Sequence, residues 1–287
     1  MRHFSLIQLS PLAAACGIIL ATVAVSAPAR AQARLDARYT ASLAGLPIGK
    51  GAYVIDIASD RYTAAASGKT TGLLRVFASG HGTSASRGHV VGGLPVATSY
   101  AASITSKKNI NEVRMTLANG DVRQFEASPP LSHDPKRVPL TDAHRHNIID
   151  PMTASLLGVP GHGSTVKPEA CKRSLAVFDG RLRFNLALSY KRMEQVKADK
   201  GYAGPVVVCG VSFSPVAGHI RNRAAFKYLA HLHTIEVWFA PITGTRVLVP
   251  FRIAVPTPLG LGVVQATQFV SIVQRAARST TTSASAQ

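Results

Sequence analysis

The sequence predicts a mostly β protein built as one meandering antiparallel sheet that must curl to protect its core, and three observations lead there. Apolar residues recur with period two far more often than with period 3.6. Turn dipeptides fall at short intervals between those runs, so that neighbouring strands are antiparallel. Helical periodicity is scarce, which leaves room for only one or two short helices.

The first 31 residues stand apart from that pattern. Arg2 and His3 give a short basic start, Leu12 to Val25 an apolar run, and Ala29-Arg30-Ala31 a close with small residues where a leader peptidase reads. This is the layout of a cleavable signal peptide over 1–31, too short for a membrane span. Cys16, after Leu12-Ala13-Ala14-Ala15, resembles a lipid-anchor box, but the apolar run continues well past it, so export as a soluble periplasmic protein is the expectation. No transmembrane segment is expected in the mature chain.

The strands follow in order. Tyr53, Ile55 and Ile57 share one face of an early strand, after a break at Gly45-Leu46-Pro47 and before one at Ser59-Asp60. Gly72 to Ala78 is read as a second short helical turn. Asn119-Gly120 separates Val113-Met115-Leu117 from Val122, and Asp179-Gly180 separates Leu175-Val177 from Leu182; both dipeptides tolerate the positive φ of tight hairpin turns. Between them, Ser128 to Asn147 is polar and proline-broken, a long loop dividing two groups of strands. A helix is expected over Pro151–Leu157, with Asp150 as N-cap, proline at the first helical position and Gly158 as the stop. In 182–190, Leu182, Phe184, Leu186, Leu188 and Tyr190 are expected to face a core. So are Ile235, Val237 and Phe239, and later Val247, Val249, Phe251, Ile253 and Val255. A single domain over 32–278 would hold all of these, with 279–287 a Ser/Thr/Ala tail that has nothing to bury.

Composition narrows the role. Hydrophobic content of 46% against 16% charged argues for a folded chain. The formal charge of +18 stays strongly positive without the leader, which carries only Arg2 and Arg30 among the lysines and arginines. Outside the cytoplasm the polyanions to expect are lipid head groups, lipopolysaccharide phosphates or acidic polysaccharide rather than nucleic acid. Cys171 and Cys209 remain as one pair in an oxidising space, without a C-x-x-C spacing, and read as a structural disulfide.

No catalytic constellation emerges. His231-Leu232-His233 would place two imidazoles on one strand face, and His144-Arg145-His146 offers a second pair, but neither has a third ligand in a metal-site pattern. With only 14 acidic residues, Asp150 and Asp179 go to a cap and a turn. Glu236 is the one carboxylate within a long apolar strand, expected to point to solvent with Thr234. Gly161-His162-Gly163-Ser164 lacks the G-x-S-x-G elbow and reads as a connector. Pro256 to Gly262 is a punctuated apolar turn, expected to cover the core edge with its leucines, the alternatives being to line a groove mouth or touch a membrane surface. Neither cofactor nor metal is expected.

Short stretches along most of the mature chain, from Ala37 to Phe269, resemble the exported bacterial family catalogued as domain of unknown function 3108. They are Tyr39 through Gly49 with Tyr62 and Thr71-Gly72-Leu73-Leu74, then Arg137-Val138-Pro139-Leu140 and Asp150-Pro151-Met152-Thr153-Ala154. Cys171, Val177 through Phe184, and Val237-Trp238-Phe239-Ala240-Pro241 complete the set. The region His219–His233 is longer and more basic than that family's pattern. The resemblance implies an envelope location and a strongly curved antiparallel sheet, a half-barrel or β-spiral similar to periplasmic lipid and lipoprotein carriers, with no catalytic residues to carry over. The expectation is a non-enzymatic binder of an apolar or amphipathic envelope component, or of an envelope protein partner. A hydrolase or metalloenzyme acting on envelope polysaccharide or peptide, and a structural scaffold, are the alternatives.

Overall fold

The computed structural model describes residues 32–71, 80–107, 109–131 and 134–274. The leader with Cys16, Ala29 and Ala31, the turn expected over Gly72–Ala78, and the tail 279–287 lie outside them.

Seven strands come first: β1 (Gln32–Leu43), β2 (Leu46–Ile57), β3 (Arg61–Thr70), β4 (Gly80–Val91), β5 (Leu94–Ser106), β6 (Asn109–Ala118) and β7 (Asp121–Ser128). Each pairs antiparallel with the next. After the long loop come α1 (Pro151–Ala154), β8 (Leu157–Gly158), β9 (Arg173–Phe178), β10 (Arg183–Lys197), β11 (Lys200–Gly201) and β12 (Ala203–Ala217). The chain then forms α2 (Ala224–His231), β13 (Ile235–Pro241), β14 (Val247–Thr257) and β15 (Gly260–Gln274). Among the described residues these strands make one sheet in the order β7-β6-β5-β4-β3-β2-β1-β15-β14-β13-β12-β10-β9, with β11 beside β15 and β8 beside β14. The first and last long strands therefore join the two groups, β1 pairing with β15 over nearly its whole length.

The hairpin turns follow their residues. Asn119 and Gly120 take φ of 53° and 84° between β6 and β7, and Gly180 takes 92° between β9 and β10. Asp179 closes that second turn by accepting from the Arg181 and Leu182 amides at 2.7 and 2.6 Å.

The sheet curls but does not close. Its edges β7 and β9 are spanned by the segment before α1. The Ile148 amide donates to Gly120 O at 2.8 Å, the Ile149 amide to Ala176 O at 2.9 Å, and the Phe178 amide to Ile149 O at 3.0 Å. The Arg181 guanidinium adds 2.9 Å bonds to the carbonyls of Ser128 and Pro129 at the end of β7. From this bridge α1 runs into the concave face. It is shorter than the expected Pro151–Leu157. Asp150 caps it and Pro151 opens it, but Leu157 and Gly158 leave it to pair with Leu248 and Val247. That edge of β14 is free because β15 pairs only with Arg252–Thr257.

Two clusters of buried side chains lie on opposite faces. The main one fills the concave face, with Leu35, Ile55, Tyr62, Met152, Phe178, Val208, Trp238, Phe251 and Phe269 among its members. The second covers the outer face of β12, β13 and β14, where Val207, Cys209, Val237, Phe239 and Leu248 meet Val159, Ala170 and Cys171. Strands buried on both sides read as continuous apolar runs rather than alternating ones, which accounts for Val206-Val207-Val208-Cys209. The Cys171–Cys209 disulfide, with Cα atoms 5.4 Å apart, fastens the covering segment to β12.

Two expected core faces need correction. Tyr53, Ile55 and Ile57 are buried, but in β10 only Leu188 is, and Tyr190 is 40% exposed. Leu186 and Leu188 pack against the second cluster, whereas Tyr190, opposite Cys209, is left outside it. In β14 a register slip between Trp238/Phe239 and their partners passes over Phe251. Val247, Val249 and Phe251 therefore join the main core, whereas Ile253 and Val255 are half-buried against the second cluster. The basic region His219–His233 contains α2, whose Phe226 stacks on Phe213 of β12.

One glycine is required by a close approach. A Cβ on Gly88 would sit 1.9 Å from Val96 O, where β4 and β5 slip register. Gly88→Ala is expected to cost about 2 kcal/mol in urea unfolding. Gly68→Ala, whose nearest neighbour would be Lys50 O at 3.9 Å, should be neutral by the same measurement.

Candidate functional site

The inward positions of the early strands fall into two zones. Toward α1 they carry Leu35, Ile55, Tyr62 and Met115, and the concavity is filled. Toward the other end they carry Gly49 and Gly51 on β2, Ala66 and Gly68 on β3, Gly80 and Gly82 on β4, and Ala102 on β5, in facing register. Side chains of that size cannot fill a curved sheet. The result is a cleft of about 810 Å³, walled by Tyr39, Tyr53, Tyr100, Met152 and Pro250 and opening beside Ile104. Its size lies within the range of small-molecule sites, and its walls are mainly apolar.

The tyrosines hold the inner wall. The Tyr39 hydroxyl donates to Pro250 O at 2.7 Å and ties β1 to β14 across the concavity. The Tyr53 hydroxyl shares a 2.6 Å hydrogen bond with Ser155 Oγ and lies 3.3 Å from Met152 O, which anchors α1. Burial pushes the phenols of Tyr39, Tyr53 and Tyr100 well above the ordinary value and that of Tyr62 up to about 12. These groups are neutral at physiological pH and cannot act as bases or nucleophiles there.

Behind the cleft sits a buried polar cluster. Asp150 accepts from the Met152 and Thr153 amides, both at 3.0 Å, from Ser86 Oγ at 3.2 Å, and in a short contact from Thr153 Oγ1. Tyr62 completes the group, its hydroxyl 2.6 Å from Thr153 Oγ1 and 3.1 Å from Ser86 Oγ. Burial raises the Asp150 carboxyl above its usual range, against the lowering effect of these donors. A serine and a threonine against a carboxylate, without a base between them, lock α1 into the sheet rather than forming a nucleophile.

The remaining sequence candidates are scattered. His144 Nδ1 accepts from the Thr141 amide at 3.0 Å, while His146 lies between Asp142 and Asp121, whose hydrogen bonds raise its pKa. His231 ends α2, with Nδ1 2.6 Å from Lys227 O, and so does not share a strand face with His233 as expected; the chain there is helical to His231 and then irregular. Glu236 does not point freely to solvent: Arg192 grips both its oxygens at 2.9 Å. Glu194 accepts from Trp238 Nε1 at 2.7 Å, and the guanidinium of Arg252 lies 4.9 Å from the Trp238 ring centre. Gly161–Ser164 is an exposed connector in which Ser164 Oγ donates to Val166 O at 3.2 Å. Leu259 and Leu261 of the apolar turn do not cover the core: they are 75% and 44% exposed. Among the described residues no group of three or more His, Cys, Asp or Glu could hold a metal ion.

Sequence reasoning missed the cleft itself and the inward roles of Tyr39 and Tyr100. The available signal was the alternation of glycines in 49–51 and 80–82, which marks one strand face as nearly empty.

A family model described as a protein of unknown function (DUF3108) matches residues 38–267. No curated protein matches the sequence. Among solved structures, the chain is similar to the crystal structure of a beta-barrel-like protein of domain of unknown function DUF1849 from Brucella abortus. That match is 9% identical with a TM-score of 0.47, and covers 85% of this chain and 98% of the other.

Proposed function

The chain belongs to the DUF3108 family of proteins of unknown function, and from its geometry we propose that it is a non-enzymatic envelope protein that holds an amphipathic molecule, its apolar part lodged in the cleft of the curved sheet. The observation that carries this reading is the cleft, about 810 Å³, kept open by facing glycines and alanines and walled by tyrosines and Met152. A protein whose concave face served only as scaffold would fill it, as this one does around α1. Export to the periplasm is part of the proposal. The leader-like start and the Cys171–Cys209 bridge, which persists in oxidising compartments, support it. Fractionation of cells producing the protein tests that part directly.

Binding is tested by native mass spectrometry after gentle purification, followed by titration of delipidated protein with a fluorescent fatty acid. Mass additions of lipid size and saturable probe binding are the expected results. Gly68→Phe supplies the specific test. Its Cβ has open space around it, and the ring enters the cleft, so probe affinity should fall at least tenfold while the unfolding midpoint holds. Empty protein that also ignores the probe, or undiminished affinity in Gly68→Phe, would overturn the reading.

A further inference from the structure

We infer that the open end of the sheet docks on an anionic phospholipid bilayer. The inference deepens the binding role proposed above, because the cleft opens at that same end.

Two hairpin tips project there side by side. The Ala44 amide, in the turn between β1 and β2, donates to Leu261 O at 2.9 Å, so the first and last hairpins are joined at their ends. Each tip presents an uncovered leucine, Leu46 at 68% and Leu259 at 75% exposure. Across the same end, Ile104 and Ile110 are more than half exposed beside the turn between β5 and β6. Isolated exposed leucines need no explanation, but a set gathered on one rim does.

Behind the rim two lysines face one another, with a histidine on the next strand. Lys50 of β2 lies directly opposite Lys69 of β3, and Lys69 directly opposite His81 of β4. Like charges facing one another across strands are destabilising. No described carboxylate pairs with any of the three; the nearest acidic residue on β1, Asp36, is engaged with Arg38. Lys50 stands four residues back from Leu46, roughly 13 Å of strand. Apolar tips in front and lysines behind match the order of acyl boundary and phosphate layer that an interfacial protein meets. The cleft lining reaches Thr70, Gly80, Ile104 and Ser106, the last inward positions before the turns, so docking would set its mouth against lipid.

Co-sedimentation of the full chain with phosphatidylcholine vesicles, and with vesicles of equal phosphatidylcholine and phosphatidylglycerol, tests the inference. Binding to the mixed vesicles alone is expected. Each lysine should contribute about fivefold to the partition coefficient, so Lys50→Ala with Lys69→Ala loses on the order of 25-fold. Arg61→Ala with Arg87→Ala removes the same charge from the other end of β3 and β4 and should leave partition within about twofold. Leu46→Ser with Leu259→Ser should lose roughly tenfold without altering the unfolding midpoint. Equal losses in the two charge variants would show attraction by net charge only and overturn the inference, as would equal binding to both vesicles or to neither. The fatty-acid titration is read on the same variants. Retained probe binding with lost vesicle binding separates failure of docking from failure of the cleft.

Discussion

Replacing Asp150 by alanine is expected to lower the unfolding free energy by about 3 kcal/mol in urea denaturation. That sum combines the loss of an N-cap with the loss of hydrogen bonds from buried hydroxyls. The side chain accepts from two amides of α1 and from Ser86 and Thr153, so its removal frees α1 from the sheet and opens the bridged gap between β7 and β9. Asp150→Asn separates cap from charge. Burial places the folded pKa of Asp150 above its ordinary 3.8. Between the unfolded and folded values the native protein keeps a proton that the unfolded chain releases. Stability from this group is therefore greatest in acid and declines as pH rises through that window. Asp179 shifts in the same direction, also by burial, so part of the decline survives in the asparagine variant. The difference in unfolding free energy between wild type and Asp150→Asn should fall as pH rises from below 3.8. A difference that instead rises with pH would show that the native carboxylate stays ionised throughout and that the cluster stabilises by charge.

Breaking the Cys171–Cys209 bridge, by reduction or by the double serine variant, is expected to cost about 4 kcal/mol. The estimate follows from the entropy of closing the intervening loop, 38 residues in sequence separation. The loss has a place as well as a size. The segment from Val159 to Cys171 covers the outer face of β12 and β13, so its amides, and those of Val207 and Val211 beneath it, should lose hydrogen-exchange protection first. Fluorescent fatty-acid binding in the cleft, on the opposite face, should persist. Unchanged unfolding on reduction would mean that the covering segment is held by its apolar contacts alone.

Much of the architecture was legible in the residues because it is local. Asn119-Gly120 and Asp179-Gly180 fix hairpins through backbone conformations that few other residues adopt. Asp150-Pro151 starts a helix because the carboxylate caps and the proline has no amide to lose. What escaped was decided between elements. The end of α1 could not be read from Gly158, since the competing partner for Leu157 is Leu248, on a free edge of β14 about ninety residues away in the chain. Alternation in β14 misassigned faces because a single bulge at Phe251 shifts the parity of everything after it, and in β10 the right parity did not ensure burial, since Leu188 is covered and Tyr190 is not. His231 and His233 looked paired only while their segment was taken for a strand.

By itself the amino-acid order determined a β chain of tight hairpins, one pair of cysteines placed to bond, and a helix cap at Asp150. These follow from φ preferences and the period of two, each set within a few residues. Tertiary structure alone decided that glycines and alanines from four strands coincide to leave a cleft, that leucines from distant turns meet on one rim, and that lysines on neighbouring strands stand opposite one another. Those relations depend on strand order and curl, and no short stretch of sequence contains them.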